Sequence, residues 1–228
     1  MKLGNNNLLF LSHPYSSQTP SYGNRDMVKV TANSSIKAGE TANSSCWVFT
    51  NNHIGTHIDV PYHFDISGKK VGDYSAADWL FTKVGFVEIV CAESVLIGED
   101  DLADAELNPD IEILLIRTSY EDFRFEKKYW NDNPGLSPTL ASYLRNRFRN
   151  LRCIGFDFIS ITSWKSRDEG RKSHRAFLAP EDGGMPILAI EDMSLKNISG
   201  ALDWLIVAPI IMEDGNGAPV TVIANQRK

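Results

Sequence analysis

Three histidines and one aspartate lie close together in residues 53–63, which read His-Ile-Gly-Thr-His-Ile-Asp-Val-Pro-Tyr-His. Gly55 and Pro61 oppose a helix, and the β-branched residues between them favour an extended chain. Side chains of an extended chain alternate between two faces, so residues of one parity point the same way. The odd-numbered polar residues expected to share one face are His53, His57, Asp59 and His63. The even-numbered apolar residues expected to face the core are Ile54, Ile58, Val60 and Phe64.

Several imidazoles and a carboxylate on one face are costly unless they bind something, because imidazolium groups repel and a buried carboxylate needs a partner. A divalent metal satisfies both requirements. Imidazole and carboxylate ligands suit zinc, and mixed nitrogen and oxygen sites also suit manganese or iron. The helical H-E-x-x-H zinc motif is excluded, because Ile54 occupies the glutamate position and Pro61 would break the helix.

One extended segment cannot surround a metal, so further ligands must come from elsewhere in the chain. His174 and Glu191 are the candidates: His174 precedes a glycine-containing loop, and Glu191 ends the apolar run 186–190. Taken alone, each residue is equally compatible with a structural role.

The segments that must position these residues are mostly strands. Strands are predicted at 8–11, 28–31, 46–50, 85–90, 111–118, 151–158, 186–190, 205–211 and 220–224. The second and third should form a hairpin. A helix is predicted over 138–148, with Ser137 as N-cap and Pro138 in its first position. The acidic segment 99–107 also has helical spacing. Without a break in composition, we predict one α/β domain over residues 1–228 with a mixed β-sheet.

Composition excludes several partners and locations. The formal net charge is −6, which argues against a nucleic-acid partner. No apolar run approaches the roughly 18 residues of a membrane span, and none resembles the core of a signal peptide. Cys46, Cys91 and Cys153 lack metal or disulfide spacing, so they are expected to be reduced thiols of a cytoplasmic protein.

The motif H-x-G-T-H-x-D-x-P-x-H-F resembles the signature of the cyclase or bacterial kynurenine formamidase (arylformamidase) family of metal-dependent hydrolases. The resemblance continues along nearly the whole chain in the same order. Its weaker matches are Leu11-Ser12-His13-Pro14, Thr19-Pro20, Arg117-Thr118, Pro134-Gly135-Leu136-Ser137, Gly155-Phe156-Asp157 with Ser160, His174 to Leu178, Glu191, and Asp214-Gly215 through Pro219 to Ala224.

The resemblance implies a compact β/β/α layered, swivelling-domain-like fold that forms homodimers or homotetramers. It matches His53, His57 and Asp59 to a first set of metal ligands, and His174 and Glu191 to a second set. One or two ions would bind, zinc before manganese, with Asp59 and Glu191 bridging when two are present. It also matches His63 to the histidine that transfers protons.

The activity that the resemblance implies is hydrolysis of a carbon–nitrogen bond in a small molecule, as in the conversion of N-formylkynurenine to kynurenine and formate in tryptophan catabolism. Ring opening of isatin or a lactone, a metal-dependent cyclase or lyase reaction, and a closed metal-binding module without catalysis remain alternatives. The family pattern departs at Phe10, Tyr22 and Val60, which leaves the substrate open. Aromatic residues that could pack against a substrate, or belong to the core instead, are Tyr22, Tyr62, Phe64 and Trp79.

Overall fold

A nine-stranded mixed β-sheet organises the chain, which a computed structural model describes over residues 7–227. The strands are β1 (Asn7–Phe10), β2 (Val28–Ser34), β3 (Ser44–Phe49), β4 (His57–Asp59), β5 (Leu80–Phe81), β6 (Val84–Glu88), β7 (Leu96–Ile97), β8 (Ile113–Arg117), β9 (Gly135–Leu136), β10 (Cys153–Phe156), β11 (Leu188–Glu191), β12 (Leu202–Pro209) and β13 (Gly217–Gln226). The α-helices are α1 (Lys127–Asn131), α2 (Pro138–Arg147) and α3 (Arg167–Leu178). The 3-10 helices are Tyr22–Asn24, Ile36–Ala38, Pro61–His63, Val71–Asp73, Ala76–Trp79, Asp100–Leu102 and Tyr120–Phe123.

The large sheet joins a parallel half to an antiparallel half. Its strand order is β5-β12-β13-β4-β11-β10-β8-β6, and β1 pairs with the end of β13. Strands β6, β8, β10 and β11 are parallel, whereas β4 runs antiparallel to both β11 and β13. The short strand β4 therefore lies at the junction of the two halves, and the predicted mixed sheet is confirmed.

Alternating side chains of the parallel strands divide the core into two layers. On β8, Leu114 and Ile116 face α2 and α3, while Ile113 and Leu115 face the other way. This second layer also contains Leu205 of β12, so the antiparallel half packs against the parallel half. The arrangement is the expected β/β/α layering.

The predicted helix over 138–148 is confirmed, and it begins where the sequence indicates. Pro138 is its first residue, and the Ser137 side chain accepts a hydrogen bond from the Thr139 amide at 3.4 Å. The helical prediction for 99–107 is wrong, because only Asp100–Leu102 forms one 3-10 turn. Leu102 is the one fully buried side chain of that segment, so a longer helix would lack an apolar face to pack.

Strands β2 and β3 form the predicted hairpin and pair only with each other among the described residues. The loop between them turns at Gly39, whose φ of 88° lies in the left-handed region that glycine tolerates best. Within residues 7–227, no helix has the length and apolar character needed to cross a bilayer.

Candidate metal centre

The histidine motif forms a short strand between two sharp changes of chain direction. Only His57–Asp59 is strand, so the predicted extended conformation is right there and wrong at both ends. Gly55 bends the chain with a φ of 62°, and a Cβ on it would lie 2.6 Å from the Tyr15 ring. Pro61 starts the 3-10 turn that carries His63. The bend and the turn direct the flanking histidines towards the same cavity as the strand.

The neighbouring elements bring the distant candidates to this strand. Glu191 at the end of β11 is the register partner of His57 in β4. His174 lies in α3, a helix that the sequence interpretation did not identify, and its side chain is buried. The structure thus gathers the predicted metal and proton-transfer residues around a cavity of about 240 Å³, whose lining includes His53, His57, Asp59, His63, His174 and Glu191.

Two buried carboxylates form the centre of this cluster. Asp59 Oδ1 lies 2.7 Å from His53 Nδ1 and 3.4 Å from His57 Nε2. Asp59 Oδ2 lies 3.6 Å from His174 Nε2. Glu191 places Oε2 at 3.3 Å from His57 Nε2 and Oε1 at 3.7 Å from His174 Nε2. Each carboxylate therefore faces imidazoles from at least two different elements.

Hydrogen bonds on the outer side of the rings aim these nitrogens inward. His57 Nδ1 lies 2.8 Å from the Gly55 carbonyl, and His174 Nδ1 lies 3.0 Å from the Gly170 carbonyl. A proton donated from Nδ1 to a carbonyl leaves the Nε2 lone pair free, which is the arrangement seen at histidine ligands of metals. His57 Nε2 is buried and has no hydrogen-bond partner among the described residues. The donor set fits a divalent cation.

The pKa values show why the cluster needs positive charge. Burial by itself lowers the pKa of His57, but the carboxylates of Asp59 and Glu191, 3.4 and 3.3 Å from its Nε2, outweigh it and raise the pKa well above its usual value. The same balance raises the pKa of His174 to about 10. Burial raises the pKa of Asp59, and the surrounding histidines, His53 first, overcome this and lower it. The two buried carboxylates thus keep protons on the neighbouring histidines. A metal ion bound there would supply the positive charge in place of those protons.

His63 differs from the other histidines of the cluster. Its ring stacks on that of His53 with centroids 4.1 Å apart, and burial lowers its pKa to about 4. His63 is therefore neutral at pH 7. Potential ligand atoms lie within 4.8 Å of one another in two groups, one of His53, His57 and Asp59 and one of Asp59, His63 and His174. The geometry is compatible both with proton transfer by His63 and with metal ligation.

The four aromatic candidates lie in different places. Tyr22 lines the cavity. Phe64 packs against the core, as expected, and also stacks on His174 with centroids 4.8 Å apart. Tyr62 does not line the cavity and lies under the Lys70 ammonium, 5.0 Å away. Trp79 is buried in the inner core against Tyr74, because its large apolar ring fills the space beside β5.

Sequence analysis missed the residues that hold the cluster from outside. Asn216 places Oδ1 3.0 Å from His53 Nε2, which orients that ring. Arg124 and Asp192 form a buried ion pair with two contacts of 2.9 and 2.7 Å. Asp192 directly follows the ligand candidate Glu191 in the chain. The only signal in the sequence was an acidic pair at the end of an apolar strand.

The layered fold and the buried histidine–carboxylate centre define an α/β protein with a group of residues able to hold a divalent metal. The chain belongs to the cyclase and kynurenine formamidase family, since the Cyclase family model matches residues 9–163. It is 31% identical to the kynurenine formamidase of Bacillus cereus over 172 residues, which is 75% of each chain.

Solved structures with little sequence similarity share the fold. An isatin hydrolase bound to the product analogue thioisatinate superposes with a TM-score of 0.78 at 16% identity, covering 99% of this chain and 94% of the other. A protein described as a predicted metal-dependent hydrolase, from Bacillus stearothermophilus, gives a TM-score of 0.74 at 20% identity, covering 98% of this chain and 100% of the other. The expected fold family is thereby confirmed.

Proposed function

We propose that this protein is a metal-dependent hydrolase of aryl formamides that converts N-formylkynurenine to kynurenine and formate. The observation that carries the proposal is the convergence of inward-facing imidazoles on two buried carboxylates in one small cavity. Similarity to bacterial kynurenine formamidases supports the choice of an amide substrate. The cavity of about 240 Å³ lies below the roughly 300–1,000 Å³ usual for ligand pockets, which favours a small substrate.

His53, His57 and Asp59 are proposed to hold a first ion, and His174 and Glu191 a second. Asp59 supports two ions, because its Oδ1 faces His53 and His57 while its Oδ2 faces His174. A nitrogen-rich set with carboxylates favours zinc, and manganese is the alternative. A cation bound there would lower the pKa of a water molecule and polarise the amide carbonyl.

His63 is proposed as the general acid and base. Because it is neutral at pH 7, it can accept a proton from the attacking water and return it to the leaving nitrogen. Phe64 stacks on His174 beside it, and Tyr22 lines the same cavity, so both would limit the access of bulk water to the reacting groups. Thr56 precedes His57 and donates to the Asp192 carbonyl at 2.5 Å, which fixes the start of the ligand strand.

Formate release from N-formylkynurenine by zinc-loaded or manganese-loaded protein, with a chelator-treated control, tests the proposal. Release that requires metal, and that is lost in the Asp59→Asn variant, is the expected result. Absence of release from protein that demonstrably contains metal would reject the formamidase activity.

Isatin or lactone ring opening is the second candidate, because the isatin hydrolase fold covers nearly all of this chain. Hydrolysis of these rings by the same metal-loaded protein would identify it. In water labelled with ¹⁸O, a cyclase or lyase would give an unlabelled product. A formamidase or a ring-opening hydrolase would instead incorporate ¹⁸O from the water into its product. A closed, non-catalytic metal site would give no turnover with any of these substrates.

We also propose that the protein is a cytoplasmic homodimer or homotetramer. The β2–β3 hairpin presents Val30 and Trp47 with 41% and 46% of their surfaces exposed, and an interface would bury them. All three cysteines are free thiols, which suits a reducing compartment. Sedimentation velocity of the wild-type protein and the Trp47→Ser variant would measure the contribution of the hairpin to assembly.

A further inference from the structure

The wall of the cavity contains a cationic and aromatic group that the proposed chemistry does not use. Tyr22, Arg25 and Asp26 line the cavity together with the histidine–carboxylate centre. The Arg25 guanidinium carbon lies 5.9 Å from the Tyr22 ring centroid and 5.5 Å from that of Trp164. The two rings contact each other edge to face at 5.0 Å. Arg25 is thus held beside an aromatic surface at the same cavity as the reacting groups.

The loop that carries Arg25 has a fixed shape. The Ser21 hydroxyl accepts from the Asp26 amide at 2.9 Å and donates to the Asp26 carbonyl at 3.1 Å, which closes the loop on itself. Gly23 has a φ of 65°, and a Cβ there would lie 2.2 Å from the Trp164 ring. The loop therefore packs directly on the ring, and only glycine fits at that contact.

The charges of this wall are available to a ligand. In the described part of the chain, no carboxylate lies within 4.0 Å of the Arg25 guanidinium, although Asp26 is the adjacent residue. Asp26 Oδ2 accepts from the Asn51 amide at 3.1 Å, which holds that carboxylate away. A guanidinium presents two parallel N–H groups that match a carboxylate, and aromatic neighbours reduce competition from water.

We propose that Arg25 binds the carboxylate of an α-amino acid head group on the substrate, and that Asp26 on the same wall faces its ammonium group. The inference rests on the proposed formamidase function and narrows its substrate class to aryl formamides that carry an amino acid arm. Arg25 then selects the substrate and takes no part in bond cleavage. A neutral lactam such as isatin offers no carboxylate for Arg25 to pair with.

Paired substrates test this assignment. Zinc-loaded wild type and Arg25→Gln are compared on N-formylkynurenine and on N-formylkynuramine, which lacks only the carboxylate. Since a hydrogen-bonded charge pair contributes about 10- to 100-fold, the variant should lose that factor in kcat/KM for N-formylkynurenine, mainly through KM. Its kcat/KM for N-formylkynuramine should stay within about twofold of wild type. Equal losses on both substrates, or no loss on either, would overturn the proposal.

A binding measurement separates this inference from the proposed function. Calorimetric titration with the products kynurenine and kynuramine needs no turnover, so it reports on Arg25 even if neither formamide is hydrolysed. Kynurenine should bind Arg25→Gln about 10- to 100-fold more weakly than wild type, while kynuramine should bind both equally. Arg171→Gln is the matched control, because Arg171 is exposed, pairs with Asp168 on the surface and does not line the cavity. An equal loss in that control would reject the assignment.

Discussion

Replacing Arg124 by methionine should destabilise the fold and weaken metal binding together. Arg124 is 4% exposed and Asp192 is fully buried. Without the guanidinium, the Asp192 carboxylate keeps, among residues 7–227, only the Tyr129 hydroxyl, 2.5 Å away, as a side-chain partner. Removing one member of a buried ion pair costs about 3–5 kcal/mol in unfolding free energy. For a chain of this size, that corresponds to a fall in Tm of about 6–20 °C.

The effect should reach a bound metal because Asp192 joins the two strands that carry the proposed ligands. Asp192 follows Glu191 with a φ of 53°, in the left-handed region that few residues other than glycine, asparagine and aspartate adopt. Its carbonyl accepts from the Thr56 hydroxyl at 2.5 Å, next to His57. Relaxation of Asp192 would displace both Glu191 and His57. We expect zinc affinity, measured by competition with a chromophoric chelator, to fall about 10- to 100-fold, as for outer partners of metal ligands.

Thermal unfolding of metal-free and zinc-loaded protein provides the assay, and two further variants make it decisive. Arg171→Met removes an exposed pair with Asp168 and should cost at most about 1 kcal/mol. Adding Asp192→Asn to Arg124→Met removes the buried charge and should restore part of the stability. The reasoning is refuted if Arg124→Met unfolds within about 2 °C of Arg171→Met, or if the double variant is no more stable than the single one.

Three further predictions concern separate groups. His63→Ala should retain metal while kcat falls about 10²–10⁴-fold; loss of metal content would instead make His63 a ligand. Asp59→Asn should lose metal, measured by elemental analysis, and full occupancy would remove Asp59 from the ligand set. Burial raises the pKa of Asp157 to about 6 despite hydrogen bonds from Thr118, so the native state keeps a proton that the unfolded state releases. As the pH rises from about 4 to about 6, the unfolding free energy of the wild type should therefore fall relative to that of Asp157→Asn, by up to about 3 kcal/mol in urea unfolding. Parallel pH profiles of the two proteins would contradict this.

The local part of the site was accessible from the sequence because it depends on short-range rules. Alternation along an extended chain placed His57 and Asp59 together, and β4 has that conformation. Gly55 and Pro61 were recognised as incompatible with a helix, which excluded the helical zinc motif. Their second effect is to bend the chain at both ends of β4, and at the Gly55 end the backbone lies against Tyr15 and Thr19, which are far away in sequence. Composition and spacing do not reveal such contacts.

The rest of the centre depends on how distant elements pair. Glu191 reaches His57 through the antiparallel register of β11 with β4, and His174 arrives on a helix whose sequence is mostly polar. The sequence offered both residues only as candidates, and the family resemblance matched them to the second set of ligands. Resemblance did not identify the Arg124–Asp192 pair, whose members are 68 residues apart. Trp79 was a candidate for a substrate contact, but a core position was favoured for such an aromatic residue, and Trp79 occupies one.

Charge balance explains why the family motif and these outer contacts occur together. Asp59 and Glu191 are both buried, and two carboxylates in such a position repel each other and lose hydration. Metal ions can compensate that cost only if the ligand atoms stay close before the ions bind. The bend at Gly55, the hydrogen bond from Thr56 to Asp192 and the Arg124–Asp192 ion pair hold the carboxylates and imidazoles in place. Rigid support of this kind is what a site that binds metal and leaves room for a substrate requires.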